Sequence, residues 1–257
     1  DQKILVAGMG GRPIFGQNSD IVLARYNIDG SLDTNFDGDG KVNTTLSSTF
    51  DMAHGVALQS DGKILVTGVS DSNNSNSPLV LLRYKTDGSL DSTFGDNGVI
   101  STHISSAQDQ GIDISVQSDN KIIVLGDGNG LGLSLLRYNS DGTLDISFDN
   151  DGIVSMGYEK KGMSVDLQAD GKILVTGSID MKKQPQKSDP FPILYDSLLV
   201  RFNSDGSLDP NFGDKGIVTT HLADGSGSFG DSIVLLNDGK ILVVGSAYYS
   251  TVTSDNG

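Results

Sequence analysis

LLRYKTDGSLDSTFGDNG, residues 81–98, is the stretch on which the fold turns. A short apolar run leads into Arg83-Tyr84. The Asp87-Gly88 turn follows, then Ser89-Leu90-Asp91, Phe94 and a turn closed by Gly95 and Gly98. Three further copies read LARYNIDGSLDTNFDGDG at 23–40, LLRYNSDGTLDISFDNDG at 135–152 and LVRFNSDGSLDPNFGDKG at 199–216. Their arginines (Arg25, Arg83, Arg137 and Arg201) lie 58, 54 and 64 residues apart. A second phrase alternates with the first: QSDGKILVTG around Lys63, QSDNKIIVLG around Lys121, QADGKILVTG around Lys172 and LNDGKILVVG around Lys240. DQKILVAG around Lys3 opens the chain, and successive lysines are spaced by 60, 58, 51 and 68 residues. Periods of this length belong to one supersecondary unit stacked on copies of itself, as in propellers and arrays.

Each unit divides into four strands. In the second these are expected at 55–59, 63–67, 79–84 and 98–103, with Asp61-Gly62 as a two-residue hairpin turn. No window sustains a helical period, and Gly and Pro mark the junctions. The middle strands, Ile64-Leu65-Val66 and Leu79-Val80-Leu81-Leu82, are apolar without alternation, as strands covered on both faces must be. The fourth strand is more polar, as in Lys41-Val42-Asn43-Thr44-Thr45, and suits an exposed edge. The expected fold is therefore all-β: a β-propeller of four-stranded blades, about four of them. It forms one repeat domain over 1–257, with units at roughly 1–52, 53–110, 111–162 and 163–230 and a partial one at 231–257. Seventeen strands leave one Lys-Ile-Leu-Val strand over if four blades close, which favours a segment of a larger ring over a closed one. The opening at Asp1, already inside a repeat and without a signal peptide, points the same way.

These phrases resemble the delta-60 repeat family of bacterial tandem-repeat proteins. The likeness rests on Asp-Gly-Lys-Ile-Leu-Val, Arg-Tyr, Asp-Gly-Ser-Leu-Asp and Phe-Gly-x-x-Gly, and it covers nearly the whole chain. The third unit departs with Asn120 in place of Gly, and the first and third carry Asp37 and Asp149 in place of the first Gly of the last element. The resemblance implies a cell-surface or secreted repeat scaffold and brings no chemistry with it. A looser likeness to NHL-type propellers implies a strand order running from 56–59 innermost to 98–103 outermost.

The formal charge is −15, from 18 basic and 33 acidic residues, with a pI near 4.3. That balance disfavours nucleic acid and anionic membranes as partners. No apolar stretch approaches the roughly 20 residues that cross a bilayer. With no cysteine, disulfides and thiolate metal sites are unavailable.

Function is sought in what differs between units. The loops expected at 8–20, 68–78, 126–132 and 177–196 all vary and fall on one face, the usual place for binding in repeat proteins. The last concentrates Lys182, Lys183, Lys187, Phe191 and Tyr195, and the first holds Arg12 and Phe15. Cations beside aromatics suit a protein or carbohydrate partner; a loop folded over the scaffold is the plainer alternative. The leading expectation is a non-enzymatic, extracellular or cell-surface propeller that binds through these loops. An architectural segment of a filament or adhesin, self-associating through open end strands, stands second. A propeller hydrolase or lyase stands third, needing His103 and His221 with Asp109 or Asp224.

No cofactor is expected. Asp33, Asn35, Asp37 and Asp39 imitate the start of a calcium loop, but Thr44 stands where the closing glutamate belongs. His103 and His221 occupy matching places and make a poor metal pair on their own. The recurrent arginines and Asp33, Asp91, Asp145 and Asp209 are expected to brace each blade as ion pairs.

Overall fold

The computed structural model describes residues 2–11, 18–71, 75–128, 131–157, 159–180, 195–221 and 226–249. Among them there are strands and turns and no helix, and so none long and apolar enough to cross a membrane. The chain divides into two compact units, Asp1–Tyr158 and Glu159–Gly257.

The first unit holds three sheets, each an antiparallel meander. They are β1 (Ile4–Gly10), β2 (Asp20–Tyr26) and β3 (Lys41–Thr44); then β4 (Met52–Leu58), β5 (Ile64–Val69), β6 (Leu79–Tyr84) and β7 (Val99–Thr102); then β8 (Asp109–Val116), β9 (Ile122–Gly128), β10 (Gly132–Tyr138) and β11 (Ile153–Ser155). The second unit holds β12 (Lys160–Leu167), β13 (Ile173–Asp180), β14 (Tyr195–Phe202) and β15 (Ile217–Thr220), followed by the pair β16 (Ser226–Leu235) and β17 (Ile241–Tyr249). This is the strand plan of a several-bladed β-propeller.

The unbroken apolar runs follow from the stacking of sheets. Ile64 and Val66 enter a core shared with Ile21, Leu23 and Val42 of the first sheet. Leu65, between them, enters a core shared with Ile122, Val124 and Leu136 of the third. Every residue of β5 and β6 is buried. Each aliphatic side chain so covered contributes about 1.5–3 kcal/mol. The outer strands β3 and β7 keep exposed positions.

Two local details differ from expectation. The Asp61-Gly62 hairpin is a three-residue loop rather than a two-residue turn. Gln59 and Lys63 close it (Gln59 N to Lys63 O, 2.9 Å), the Gly62 N–H donates to Gln59 O, and only Gly62 has a positive φ, +83°. That is a type I turn followed by a left-handed residue, which needs one glycine where the two-residue turn needs two permissive residues. Strands also run further than their phrases: β13 and β14 pair from Ile173↔Phe202 out to Asp180↔Tyr195, which shortens the fourth variable loop to 181–194.

The first strands of the complete sheets, and β16, are bulged, at Ala53/Gly55, Gly111/Asp113, Gly162/Ser164 and Gly230/Ser232. The glycine that ends the Lys-Ile-Leu-Val-x-Gly phrase answers to this at Gly68, Gly177 and Gly245, whereas Gly8 and Gly126 meet no bulge backbone. A Cβ on Gly68 would stand 1.9 Å from Met52 O, and one on Gly177 1.8 Å from Lys161 O.

Candidate functional site

The residues repeated in every blade form a charge frame at the turn end of the sheets. In the first unit Arg25, Arg83 and Arg137 donate from Nε to Asp33, Asp91 and Asp145 at 2.8, 2.9 and 2.7 Å. Each guanidinium lies 4.5, 4.2 or 4.6 Å from the ring centre of Phe36, Phe94 or Phe148. Lys3, Lys63 and Lys121 reach the same carboxylates at 3.3, 3.4 and 2.7 Å. The second unit repeats the arrangement with Arg201, Asp209 at 2.9 Å, Phe212 and Lys172. Arg25 and Arg83 also donate to Thr86 O and Ser140 O in the following blade, both at 2.6 Å. Burial alone would raise the Asp91 carboxyl. The Thr93 hydroxyl and N–H, with the charges of Arg83 and Lys63, outweigh it and hold that carboxyl down at about 2. Removing one partner from so buried a pair costs about 3–5 kcal/mol. These side chains brace the blades.

The same frame engages the residues that imitate a calcium loop. Asp33 Oδ2 is occupied by Arg25 and its Oδ1 accepts the Asn35 N–H, while Asp39 Oδ1 accepts the Lys41 N–H at 2.8 Å. Among the described residues no three ligand-type side chains gather as a metal site would require.

The opposite end of the blades carries the connections between sheets. In the first unit Asp51 is fully buried there and accepts the N–H groups of Leu46 and Ser47 at 2.8 Å, the Ser47 hydroxyl at 2.7 Å and the Ser70 hydroxyl at 2.8 Å. Burial pushes its carboxyl up, and these donors more than reverse the effect. Asp109 stands one blade on and accepts the Ile104 N–H and the Ser105 hydroxyl at 2.8 and 2.7 Å. His103 Nδ1 lies 3.6 Å from Asp109 Oδ2, beyond hydrogen-bond length, and half of its side chain is exposed.

A tighter pair stands in the second unit. His221 Nδ1 is 2.7 Å from Asp196 Oδ1, with the imidazole 42% exposed and the carboxylate 11%. Pairing of β14 with β15, Ser197↔Thr220, puts the two side by side although 25 residues separate them. The fully buried Ser228 fixes this end of the blade: its hydroxyl donates to Thr220 O and accepts the Ser197 N–H, both at 3.1 Å. Next to Asp196, the Tyr195 ring meets Phe229 with centroids 5.1 Å apart, and both rings are half-buried. Asp196 stands where the first blade carries Asp20 and the second and third carry Pro78 and Gly132. A carboxylate against Nδ1 sets the tautomer and orientation of the ring, as it does for a positioned general base.

His103 and His221 thus fall in different units, each with an aspartate of its own. Of the loop residues singled out from sequence, Tyr195 is placed in β14 next along the chain to Asp196, its ring against Phe229. Arg12, Phe15, Lys182, Lys183, Lys187, Phe191 and Asp224 lie outside the described residues. Asp196 was missed because Asp224, three residues from His221, is the nearer aspartate in sequence.

A family model described as "Domain of unknown function (DUF5122) beta-propeller" matches residues 1–36, 59–94, 117–148, 194–212 and 236–256, more than half of the chain. Among curated proteins none matches. Similar solved structures include a protein of unknown function from Dyadobacter fermentans, with 12% identity, a TM-score of 0.48, and coverage of 95% of this chain and 72% of that one. A GH43 endo-arabinanase from Bacillus licheniformis shares 13% identity at a TM-score of 0.47, over 97% and 91%. A PL25 ulvan lyase shares 13% at 0.46, over 95% and 66%. These neighbours correct the expectation of a non-enzymatic binding scaffold. Two of these propellers are described as an arabinanase and a polysaccharide lyase.

Proposed function

The chain belongs to the DUF5122 β-propeller family, whose function is undefined, and from that premise we propose that it is a carbohydrate-active enzyme of the hydrolase or lyase kind. His221, held by Asp196, is the group that moves the proton. The observation that carries this reading is the 2.7 Å contact between a part-exposed imidazole and a mostly buried carboxylate. A base so held can take a proton from water as the water oxygen bonds to the anomeric carbon and the glycosidic C–O bond breaks, or from the carbon next to a uronate carboxyl as a C=C bond forms and the C–O bond to the leaving group breaks. In both cases the leaving oxygen takes up a proton from solvent. A net charge of −15 favours neutral glycans over polyanionic ones.

The delta-60 character of the repeats rests on the quoted phrases, and an extracellular or cell-surface location on the acidic, cysteine-free composition. Self-association through the outer edges of β1 and β17 is supported by the half-exposed Ile4, Val6, Leu242 and Val244.

Incubation with a panel of neutral and uronate-containing polysaccharides tests the enzymatic reading. New reducing ends alone indicate hydrolysis; reducing ends together with ultraviolet-absorbing unsaturated products indicate elimination. His221→Ala is expected to lower the rate by about 10²–10⁴, the usual share of general acid–base catalysis, and Asp196→Asn to lower it in the same sense. Turnover unchanged in His221→Ala, or no product from any polymer with the parent protein, refutes it.

A further inference from the structure

We propose that the first unit binds a neutral polyhydroxylated small molecule, a sugar or sugar alcohol, in a cavity at the turn end of its second and third blades, away from His103. The cavity measures about 380 Å³, within the range of small-molecule sites, about 300–1,000 Å³. Its walls come from the β4–β5 and β8–β9 turns, from Arg83 and Thr93, and from the β10–β11 turn.

Asn120 is the residue particular to this place. The matching turns of the second, fourth and last blades carry Gly62, Gly171 and Gly239 at φ of +83°, +84° and +82°; the opening phrase carries Gln2 at +57°, and Asn120 likewise holds a left-handed φ, +64°, with a side chain attached. Asparagine tolerates this region better than most residues, but glycine enters it at no steric cost. The side chain is used: Asn120 Oδ1 accepts the Ser60 hydroxyl at 2.8 Å and ties the two turns together across the cavity. Its amide N–H groups have no partner among the described residues.

Gln59 also lines the cavity, but its Oε1, which receives no hydrogen bond from the described residues, is closed to solvent, as are those of Gln117 and Gln168 in their own blades. The amide of Asn120, the hydroxyl of Ser60 and the carboxylates of Asp61 and Asp141 are the polar groups of the wall that a ligand would use.

The charges argue for neutrality. Arg83 is paired with Asp91 at 2.9 Å, and Lys63 lies 3.2 Å from Asp61 and 3.4 Å from Asp91. Both cations are thus matched by carboxylates, and Asp141 adds a further acidic group to the wall. An anion gains no uncompensated positive charge here. No aromatic ring lines the cavity, so a nucleobase finds nothing to stack on. Hydroxyls, which both donate and accept, match amides, hydroxyls and carboxylates together.

Ligand-observed NMR on the full chain, with glucose, galactose, mannitol and myo-inositol as probes and inorganic phosphate as the anionic control, tests this. At least one neutral polyol is expected to bind saturably and phosphate not to compete. Asn120→Gly, which restores the residue of the second, fourth and last blades and keeps the turn, is expected to weaken that binding at least tenfold. His221→Ala is expected to leave it unchanged, which separates this site from the proposed catalytic one. Phosphate binding in preference to the polyols, binding undiminished in Asn120→Gly, or no binding of any probe overturns the proposal.

Discussion

Three glycines in the first unit form a natural series for the packing of one blade on the next. Gly30, Gly88 and Gly142 hold the second place of the same Asp-Gly turn at φ of +83°, +96° and +94°. An alanine Cβ at Gly30 meets nothing within 4 Å. At Gly88 it stands 3.0 Å from Val42 Cγ2 and 3.2 Å from the Phe36 ring, and at Gly142 2.4 Å from Ile100 Cδ1 and 2.8 Å from the Phe94 ring. The backbone cost of a side chain in left-handed conformation, about 1–2 kcal/mol, is common to all three. Overpacking, about 1–3 kcal/mol, applies fully only at Gly142, where two core groups must move. Gly30→Ala should therefore lose about 1–2 kcal/mol, Gly142→Ala the sum of both costs, and Gly88→Ala an intermediate amount, since a 3.0 Å contact asks its neighbour to yield only slightly. The chain has no tryptophan, so urea unfolding followed by far-ultraviolet circular dichroism is the suitable assay. The midpoint should fall in that order at unchanged slope. A loss in Gly30→Ala equal to that in Gly142→Ala would show that the glycine serves the turn alone and that the next blade does not require it.

Two pH limbs follow from the buried ionisable groups. Asp91 is held at about 2 against an ordinary 3.8, so its contribution to stability is complete above 3.8 and is lost as pH falls through about 2. The urea midpoint should decline across that window, and Asp91→Asn should flatten the decline; an equally steep acid limb in the variant would dismiss the assignment. Burial, only partly offset by the hydrogen bond to Thr44, pushes the Tyr84 phenol from 10.0 up to about 12. Its contribution is complete below 10.0 and fades as pH rises towards about 12. Tyr84→Phe gives up the 2.8 Å hydrogen bond to Thr44, about 0.5–1.5 kcal/mol at neutral pH, and should soften the alkaline loss. An alkaline midpoint that tracks the parent's throughout would count against it.

The blades were legible because each repeated residue makes one fixed contact. Arg83 meets Asp91 eight residues on and the ring of Phe94, so both partners recur wherever the arginine does. The apolar middle strands were legible because Ile64 and Leu65 feed different cores. The His221–Asp196 pair was not, since a β14–β15 register creates it and proximity in sequence favoured Asp224 instead. The calcium imitation has a physical reason. Asp33 and Asp39 each accept the N–H two residues on, so a chain of tight turns places oxygens at the same alternating positions as a cation loop. The departure at Asn120 was visible from the repeat alone, but its hydrogen bond to Ser60 joins turns 60 residues apart, which only the stacking of two blades brings together.

The acidity of the chain has the same origin. Of its 33 acidic residues only Glu159 is a glutamate. Asp29, Asp87, Asp141 and Asp205 each accept both the N–H and the hydroxyl of the Ser or Thr two residues on. Asp61, Asp119, Asp170 and Asp238 accept the N–H of the lysine that starts the next strand. A carboxylate one methylene from the backbone closes such a ring, and the longer glutamate does not. The negative charge therefore accumulates with the number of turns a four-stranded blade requires. It follows from architecture, and a search for function gains more from the few carboxylates placed otherwise: Asp51 and Asp109 under the connections, and Asp196 against His221.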